Sequence, residues 1–249
     1  PFCVLLFANG PFMAGNPANN SNHRYNFWND TDPSRCGNLF DHDIHNKDQL
    51  LDKFVDIVLD APSIFTVSIG NDVKKFDGSL KQWLQALEKS GLLDEHKINI
   101  ALHQIFTNVR FKKHVLEIRG TDRPPKGFEM APAAFWVGLL TVDSIRDQLM
   151  KIFSRWSQDE RKIANANACT LNLSNIGPSG KSMMEWINLF SVLATDGLKI
   201  RSESLHIDNE QDLFTPYFKM IKERGIPAIF MQDDFHNNQK PLIEFLRAK

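Results

Sequence analysis

With 249 residues, 42% of them hydrophobic, the chain is long enough for one sizeable core or two small ones. A charged fraction of 24% and a net charge of -1 give no electrostatic reason to expect nucleic acid or an anionic membrane as partner. Three widely spaced cysteines (Cys3, Cys36, Cys169) make neither a CxxC zinc pair nor a disulfide framework, and no apolar run reaches the ~18 residues of a membrane span.

Pro1–Phe7 (PFCVLLF) is apolar and has no cap or polar lead-in. It reads as the middle of a buried element, which predicts a further segment upstream. Residues 8–46 are rich in Asn, Gly, Pro and Asp and lack periodicity. They read as a long irregular stretch, and such stretches inside compact domains are usually functional or disordered. Tyr25, Phe27, Trp28, Arg24 and Arg35 argue against simple disorder. Asp48–Asp60 has helical spacing and is stopped by Ala61-Pro62. Ser63–Ile69 reads as a strand. Leu80–Lys89 reads as a helix, and Ile100–Val109 as a shorter one. His114–Arg119 (HVLEIR) reads as a strand and Ala131–Leu140 (APAAFWVGLL) as a buried helix. Helices are expected over Ser144–Phe153, Asp159–Ala166, Lys181–Leu198, Asp212–Glu223 and Pro241–Ala248. The fold class is α+β, without the regular alternation of a parallel βαβ array.

Side chains alternate across a strand, so Val115, Glu117 and Arg119 share one face and His114, Leu116 and Ile118 the other. A carboxylate and a guanidinium on one face admit two readings. Glu117 could offer a hard oxygen ligand to Mg²⁺ beside a phosphate, with Arg119 stabilising phosphoryl charge. Equally, the two could be members of a cross-strand ion pair on a solvated face. Around Trp28, the charged residues Arg24, Asp32 and Arg35 stand at fixed offsets. Arginine suits bidentate contact to a carboxylate or phosphate. Asp32 could meet an ammonium, orient a neighbour, or simply open a turn before Pro33. Trp28 could be a stacking wall or a packing residue.

The stretch Val115–Leu140, VLEIRGTDRPPKGFEMAPAAFWVGLL, resembles the signature segment of the plant and proteobacterial glutamate–cysteine ligases. That signature is Leu-Glu-x-Arg-Gly-x-Asp followed, after a short loop, by Ala-x-Pro-Ala-(Phe/Leu)-Trp-Val-Gly-Leu-Leu. Upstream, Ile105-Phe106-x-x-Val109-Arg110-x-Lys112 also matches, with one extra residue between Arg110 and Glu117. Phe7-Ala8-Asn9-Gly10-Pro11-Phe12 resembles the family's Phe-Ala-Asn-Ser-Pro-Phe. The run from Arg24 through Trp28, Asp32 and Arg35 to Gly37 resembles its Arg-x-x-x-Trp-x-x-Thr-Asp-x-x-Arg-x-Gly. The resemblance implies that Glu117 is a magnesium ligand and that Arg119 and Arg35 act on ATP phosphates or the acyl phosphate. It implies that Arg24, Trp28, Asp32 and Arg110 contact substrate and that Asp122 supports the site. Trp136 reads as core packing.

By the same resemblance the fold is glutamine-synthetase-like: a curved, mainly antiparallel sheet lining an active-site funnel, with helices outside. The implied reaction is ATP- and Mg²⁺-dependent ligation of the glutamate γ-carboxyl to cysteine, the first step of glutathione biosynthesis. The implied location is the cytoplasm, or the plastid in a plant. The whole of 1–249 reads as the C-terminal part of one catalytic domain. Residues 200–249 read as a helical tail particular to this lineage. The N-terminal part of the enzyme is then the expected partner, and the chain alone is expected not to turn over. A ligase using another amine acceptor and a non-catalytic binding module are the alternatives.

Other motifs are set aside. Asn175–Ser182 (NIGPSGKS) approaches a P-loop but has Asn175 where the first glycine belongs. Asp41-His42-Asp43-x-His45 and Asp233-Asp234-Phe235-His236 read as solvated acids and histidines. Nothing in the sequence orients Cys36 and His42 as a thiol–base pair.

Overall fold

The computed structural model describes residues 1–37, 47–67, 73–112, 115–238 and 241–247. In chain order the elements are α1 (Phe2–Leu6), β1 (Phe12–Met13), β2 (Asn16–Pro17), α2 (His23–Thr31), β3 (Cys36–Gly37), α3 (Leu50–Asp60), β4 (Thr66–Val67), β5 (Val73–Lys74), α4 (Leu80–Lys89) and α5 (Glu95–His103). Then follow β6 (Phe106–Thr107), β7 (Val109–Lys112), β8 (Val115–Ile118), α6 (Ala131–Leu140), α7 (Asp143–Phe153), α8 (Gln158–Ala168), α9 (Met183–Leu205), α10 (Thr215–Arg224), α11 (Pro227–His236) and α12 (Leu242–Arg247). The chain is α+β with helix dominant. Its described strands form short two-stranded ladders, antiparallel except for β3–β6.

The chain forms two compact units, one of Pro1–Asn26 with Gly120–Lys249 and one of Phe27–Arg119. In the first, α1 is fully sequestered: Leu5, Leu6 and Phe7 have essentially no exposed surface. Phe2 meets Trp156, Trp186 and Phe190 at centroid distances of 5.6, 6.2 and 5.2 Å, in tilted geometries that aromatic quadrupoles favour. Helix α9 begins with a capping box: the Ser182 hydroxyl accepts from Glu185 N–H, and the Glu185 carboxylate accepts from Ser182 N–H. Helices α6 and α9 cross at Gly138 and Gly197. A Cβ on either glycine would strike the facing backbone, the Ala194 carbonyl or the Gly138 carbonyl, well inside contact distance. That contact brings backbone against backbone, and the apolar side chains around it fill the core.

The second unit packs α3, α4 and α5 around Phe54, Val58, Leu80, Trp83 and Ile105. Buried Gln104 holds the chain at 63–65: its Oε1 accepts from Ile64 and Phe65 N–H (2.6 and 3.2 Å), and its Nε2 donates to Phe65 O (3.1 Å). β7 and β8 pair antiparallel in the register Arg110↔Glu117.

Several boundaries differ from the sequence reading. Residues 23–31 are helical, not irregular, because α2 is held by polar contacts at its entry and only Tyr25 is buried; it has no apolar stripe to read. The helix placed at 100–109 lies at 95–103. Its start is fixed by the Asp94 carboxylate accepting from Lys97 N–H at 2.8 Å, and strand follows from Phe106. Described strand within 63–69 is confined to β4, and residues 68–69 lie outside the described residues. Helix α11 was not anticipated, α9 runs on to Leu205, and α10 begins at Thr215 and ends at Arg224.

Gly→Ala inside a helix ordinarily stabilises by about 1 kcal/mol. At Gly138 the sign should reverse, with Gly138→Ala costing about 1–3 kcal/mol through overpacking. Urea denaturation of the 249-residue chain checks this. Ala133, on the exposed face of the same helix, serves as control, with Ala133→Gly costing about 1 kcal/mol.

Candidate substrate site

In the Phe27–Arg119 unit the motif residues form three pairs. The Arg110 guanidinium Nε lies 2.5 Å from Glu117 Oε2, directly across the β7–β8 ladder. This is the cross-strand ion pair that the sequence allowed, and it is only partly solvated: the Arg110 side chain is 10% exposed and Glu117 34%. Arg110 Nη1 also donates to Ile105 O at 2.7 Å. Arg35, 8% exposed, pairs its Nε with Asp32 Oδ2 at 2.5 Å and directs Nη1 to Gln104 O at 3.4 Å. Arg119 rests against two aromatic rings. Its guanidinium carbon sits 4.9 Å from the Trp28 ring centroid and 5.5 Å from that of Phe106, a cation–π arrangement. Trp28 is therefore a wall for an arginine. On the opposite strand face Leu116 is 45% exposed, and His114 lies outside the described residues.

Asp32 combines turn and orienting roles. Its Oδ1 accepts from the Ser34 hydroxyl (2.6 Å) and Ser34 N–H (3.0 Å), the pattern of an Asx turn. The Ser34 hydroxyl first, and then Arg35, hold its carboxyl below the usual aspartate value. The Cys36 thiol is pushed up by burial and then by the Asp32 charge, which disfavours a thiolate nucleophile.

Arg24 and Asp122 belong to the other unit. Asp122 Oδ1 lies 3.1 Å from Arg24 Nε, and Oδ2 accepts from Asn9 N–H at 2.8 Å. Asn9 Nδ2 donates to Arg123 O at 2.8 Å. The Asp122 side chain is 14% exposed, and its carboxyl is raised by burial despite the donor and the cation beside it. A cavity of about 1020 Å³ opens here, bounded by Asn9, Arg24 and Asp122 on one side and by Met220, Arg224 and Met231 on the other. Asn9 was quoted in the sequence only as part of a motif. Its role as a tie between two segments had no signal beyond that.

Among the described residues no group of three or more His, Cys, Asp or Glu could hold a metal ion. Mg²⁺ commonly takes one or two protein carboxylates and completes its shell with phosphates and water. Glu117, paired with one guanidinium and partly exposed, meets that minimum. The P-loop-like segment is a helix entry: Glu185 occupies the α9 N-terminus and Ser179 N–H donates to Glu160 Oε1 at 2.6 Å. Asp41, His42, Asp43 and His45 lie outside the described residues. Asp234 pairs with Arg224 at 2.8 Å.

The sequence profile described as "Glutamate-cysteine ligase family 2 (GCS2)" matches residues 1–224. The chain belongs to this family. It is similar to the chloroplastic glutamate–cysteine ligases of Brassica juncea (30% identity over 66% of this chain and 32% of that protein), Nicotiana tabacum (28%, over 82% and 38%) and Solanum lycopersicum (31%, over 95% and 44%). The chain thus spans 32–44% of the length of these relatives. No described helix is long and apolar enough to cross a membrane. The ligase-family profile ends inside the segment read as a tail, at the close of α10.

The depressed Asp32 value carries a sign. Its contribution to stability is present above the aspartate value of the unfolded chain, 3.8, and is lost as pH falls through the lower folded value. Ser34→Ala removes the largest cause and should raise the Asp32 midpoint toward 3.8, read from its carboxyl carbon shift by NMR.

Proposed function

We propose that this chain supplies one wall of the active site of an ATP- and Mg²⁺-dependent glutamate–cysteine ligase. One observation carries the reading. The two family motifs, far apart in sequence, meet residue to residue within each unit: Trp28 with Arg119 in one, Arg24 with Asp122 in the other. A scaffold kept only for binding an unrelated partner has no need of that charge set.

In this reading Arg24 receives a glutamate carboxylate beside the cavity. Arg119, and Arg35 near it in sequence role, answer the charge on phosphoryl oxygens. Arg110 keeps Glu117 in place, and Asp32 keeps Arg35. Trp28 fixes the plane of Arg119, and Asp122 fixes Arg24. Mg²⁺, held in part by Glu117, supplies charge neutralisation of the phosphates. The γ-carboxylate oxygen of glutamate bonds to the γ-phosphorus of ATP as ADP leaves. The cysteine amine then bonds to the acyl carbon of γ-glutamyl phosphate, losing a proton as inorganic phosphate departs. The product dipeptide is the first intermediate of glutathione synthesis.

The remaining part of the enzyme is the partner in this proposal, and the chain alone does not turn over. The glutamine-synthetase-like curved sheet belongs to the same reading, with β7–β8 as its contribution from this chain. The location proposed is the cytoplasm or, as the names of the plant relatives say of those proteins, the plastid.

In a complete enzyme carrying this chain, Arg24→Ala should raise the glutamate KM about 10- to 100-fold, the loss of a charge-assisted contact. Glu117→Gln should remove most turnover and alter its Mg²⁺ dependence. ADP release with a panel of amines separates cysteine from other acceptors. Turnover by the purified 249-residue chain would overturn the proposed dependence on the rest of the enzyme. Absence of any glutamate or MgATP binding to the complete enzyme by calorimetry would overturn the ligase reading in favour of a binding module.

A further inference from the structure

The C-terminal helices had no role in the sequence reading, and α11 and α12 lie past the family profile, yet together with α10 they grip the stretch that leads to Arg24 at successive points. The Tyr217 hydroxyl donates to Leu6 O at 2.7 Å, and its ring stacks on Phe7 at 5.0 Å. Ala228 N–H donates to Ala8 O at 2.9 Å. Phe12 is packed edge-on against Phe235 and Phe245, at 5.1 and 6.2 Å.

The last grip is the most specific. Gln232 on α11 is 5% exposed. Its Oε1 accepts from Asn19 N–H at 2.7 Å, and its Nε2 donates to Asn19 O at 3.1 Å and to Ala228 O at 2.6 Å. One side-chain amide thus satisfies both backbone groups of a single residue, as a neighbouring strand would. Asn19 sits at φ 53°, a left-handed turn that asparagine tolerates best among residues with a Cβ. From this turn the chain docks at once: Leu171 N–H donates to Asn20 O (3.0 Å), and Asn22 donates from N–H to Cys169 O and from Nδ2 to Ala168 O (both 3.0 Å). Helix α2 begins at the next residue, and Arg24 lies in its first turn.

We infer that α10 and α11 are part of the frame of the substrate site, and that Gln232 is a positioning residue which, through Asn19, sets the start of α2 and the place of Arg24. The same helices bring Met220, Arg224 and Met231 to the cavity that Arg24 borders. The functional half of this inference rests on the proposed glutamate contact of Arg24; the structural half does not. Gln232 touches no reacting atom in this scheme. It acts on ground-state binding, so its loss should appear in KM and leave kcat nearly unchanged.

The test has two arms. Gln232→Ala in the 249-residue chain should speed amide hydrogen exchange over residues 19–24 by at least about fivefold while amides of α6 and α9 keep their protection. In the complete enzyme the same change should raise the glutamate KM by about three- to tenfold at little cost to saturated turnover. Gln232→Glu, which keeps the acceptor and loses the donor, should fall between wild type and Gln232→Ala in exchange. Gln211→Ala is the structural control. It removes a tail contact, Gln211 Nε2 to Thr195 O at 3.0 Å, and should move neither readout. Unchanged exchange over 19–24, or an equal KM shift from Gln211→Ala, overturns the inference. Faster local exchange in a parent that binds no glutamate supports the clamp and removes the glutamate reading of Arg24 instead.

Discussion

A carboxylate withdrawn from water needs donors, and Asp122 finds them on two other segments. Asn9 N–H comes from the turn after α1, and the Arg24 guanidinium from the first turn of α2. Burial nevertheless raises the Asp122 carboxyl, so the contacts do not fully offset its desolvation. Such a group adds little net stability while both partners are present, and it penalises any arrangement that removes one. Its effect is to specify position. Three stretches distant in sequence can coexist with a buried Asp122 only in a narrow set of geometries. Nearby Tyr217 is drawn into the same constraint. Burial first, and then the Asp122 charge, push its phenol well above the usual value, so it stays a neutral donor to Leu6 O.

The Phe27–Arg119 unit uses cations in the same way. Arg35 and Arg110 are each 8% exposed, and each is divided between a carboxylate and a main-chain carbonyl. The two carbonyls are consecutive: Gln104 O for Arg35 and Ile105 O for Arg110. Both follow directly on the end of α5, where the helix dipole and its unpaired carbonyls favour positive charge. The Gln104 side chain meanwhile binds residues 63–65. One short segment thus anchors a loop, two guanidinium groups and, through Arg110, the position of Glu117.

The helices that were legible in the sequence carry an apolar stripe, a cap or, as in α6, a continuous apolar run. Helix α4 shows Ser79 and Gln82 in a capping box ahead of Trp83, and α9 shows Ser182 and Glu185 ahead of Trp186. Helix α2 carries no stripe, because it is fastened by side-chain amides: Asn22 and Asn26 reach the Ala168 and Cys169 carbonyls, and Tyr25 reaches Asn165. Helix α11 mixes apolar and acidic residues with little segregation, and its most important residue is a glutamine. The motif residues themselves were legible, but their partners were not. Spacing places Glu117 and Arg119 on one face, whereas the register of β7 against β8 decides that Glu117 meets Arg110, and alternation within one strand does not give that register. The ring that Arg119 rests on comes from α2, the helix that periodicity missed.

The way each guanidinium is held divides the proposed chemistry. Arg35 and Arg110 are each fastened to a carboxylate and a main-chain carbonyl, which sets the direction of each guanidinium. Arg119 is held by ring faces. A face fixes the plane of a guanidinium through its quadrupole. A cation whose plane is set before reaction is what electrostatic stabilisation of a developing phosphoryl charge calls for. Arg24 is directed by its contact to Asp122, and its 45% exposed side chain borders open volume. In the proposed ligase chemistry, Arg24 suits the binding of a dicarboxylic amino acid, and Arg119 suits the stabilisation of the acyl phosphate formed from it. Of the two buried arginines, Arg110 keeps Glu117 in place, and Arg35, oriented by Asp32, shares the proposed phosphoryl task with Arg119.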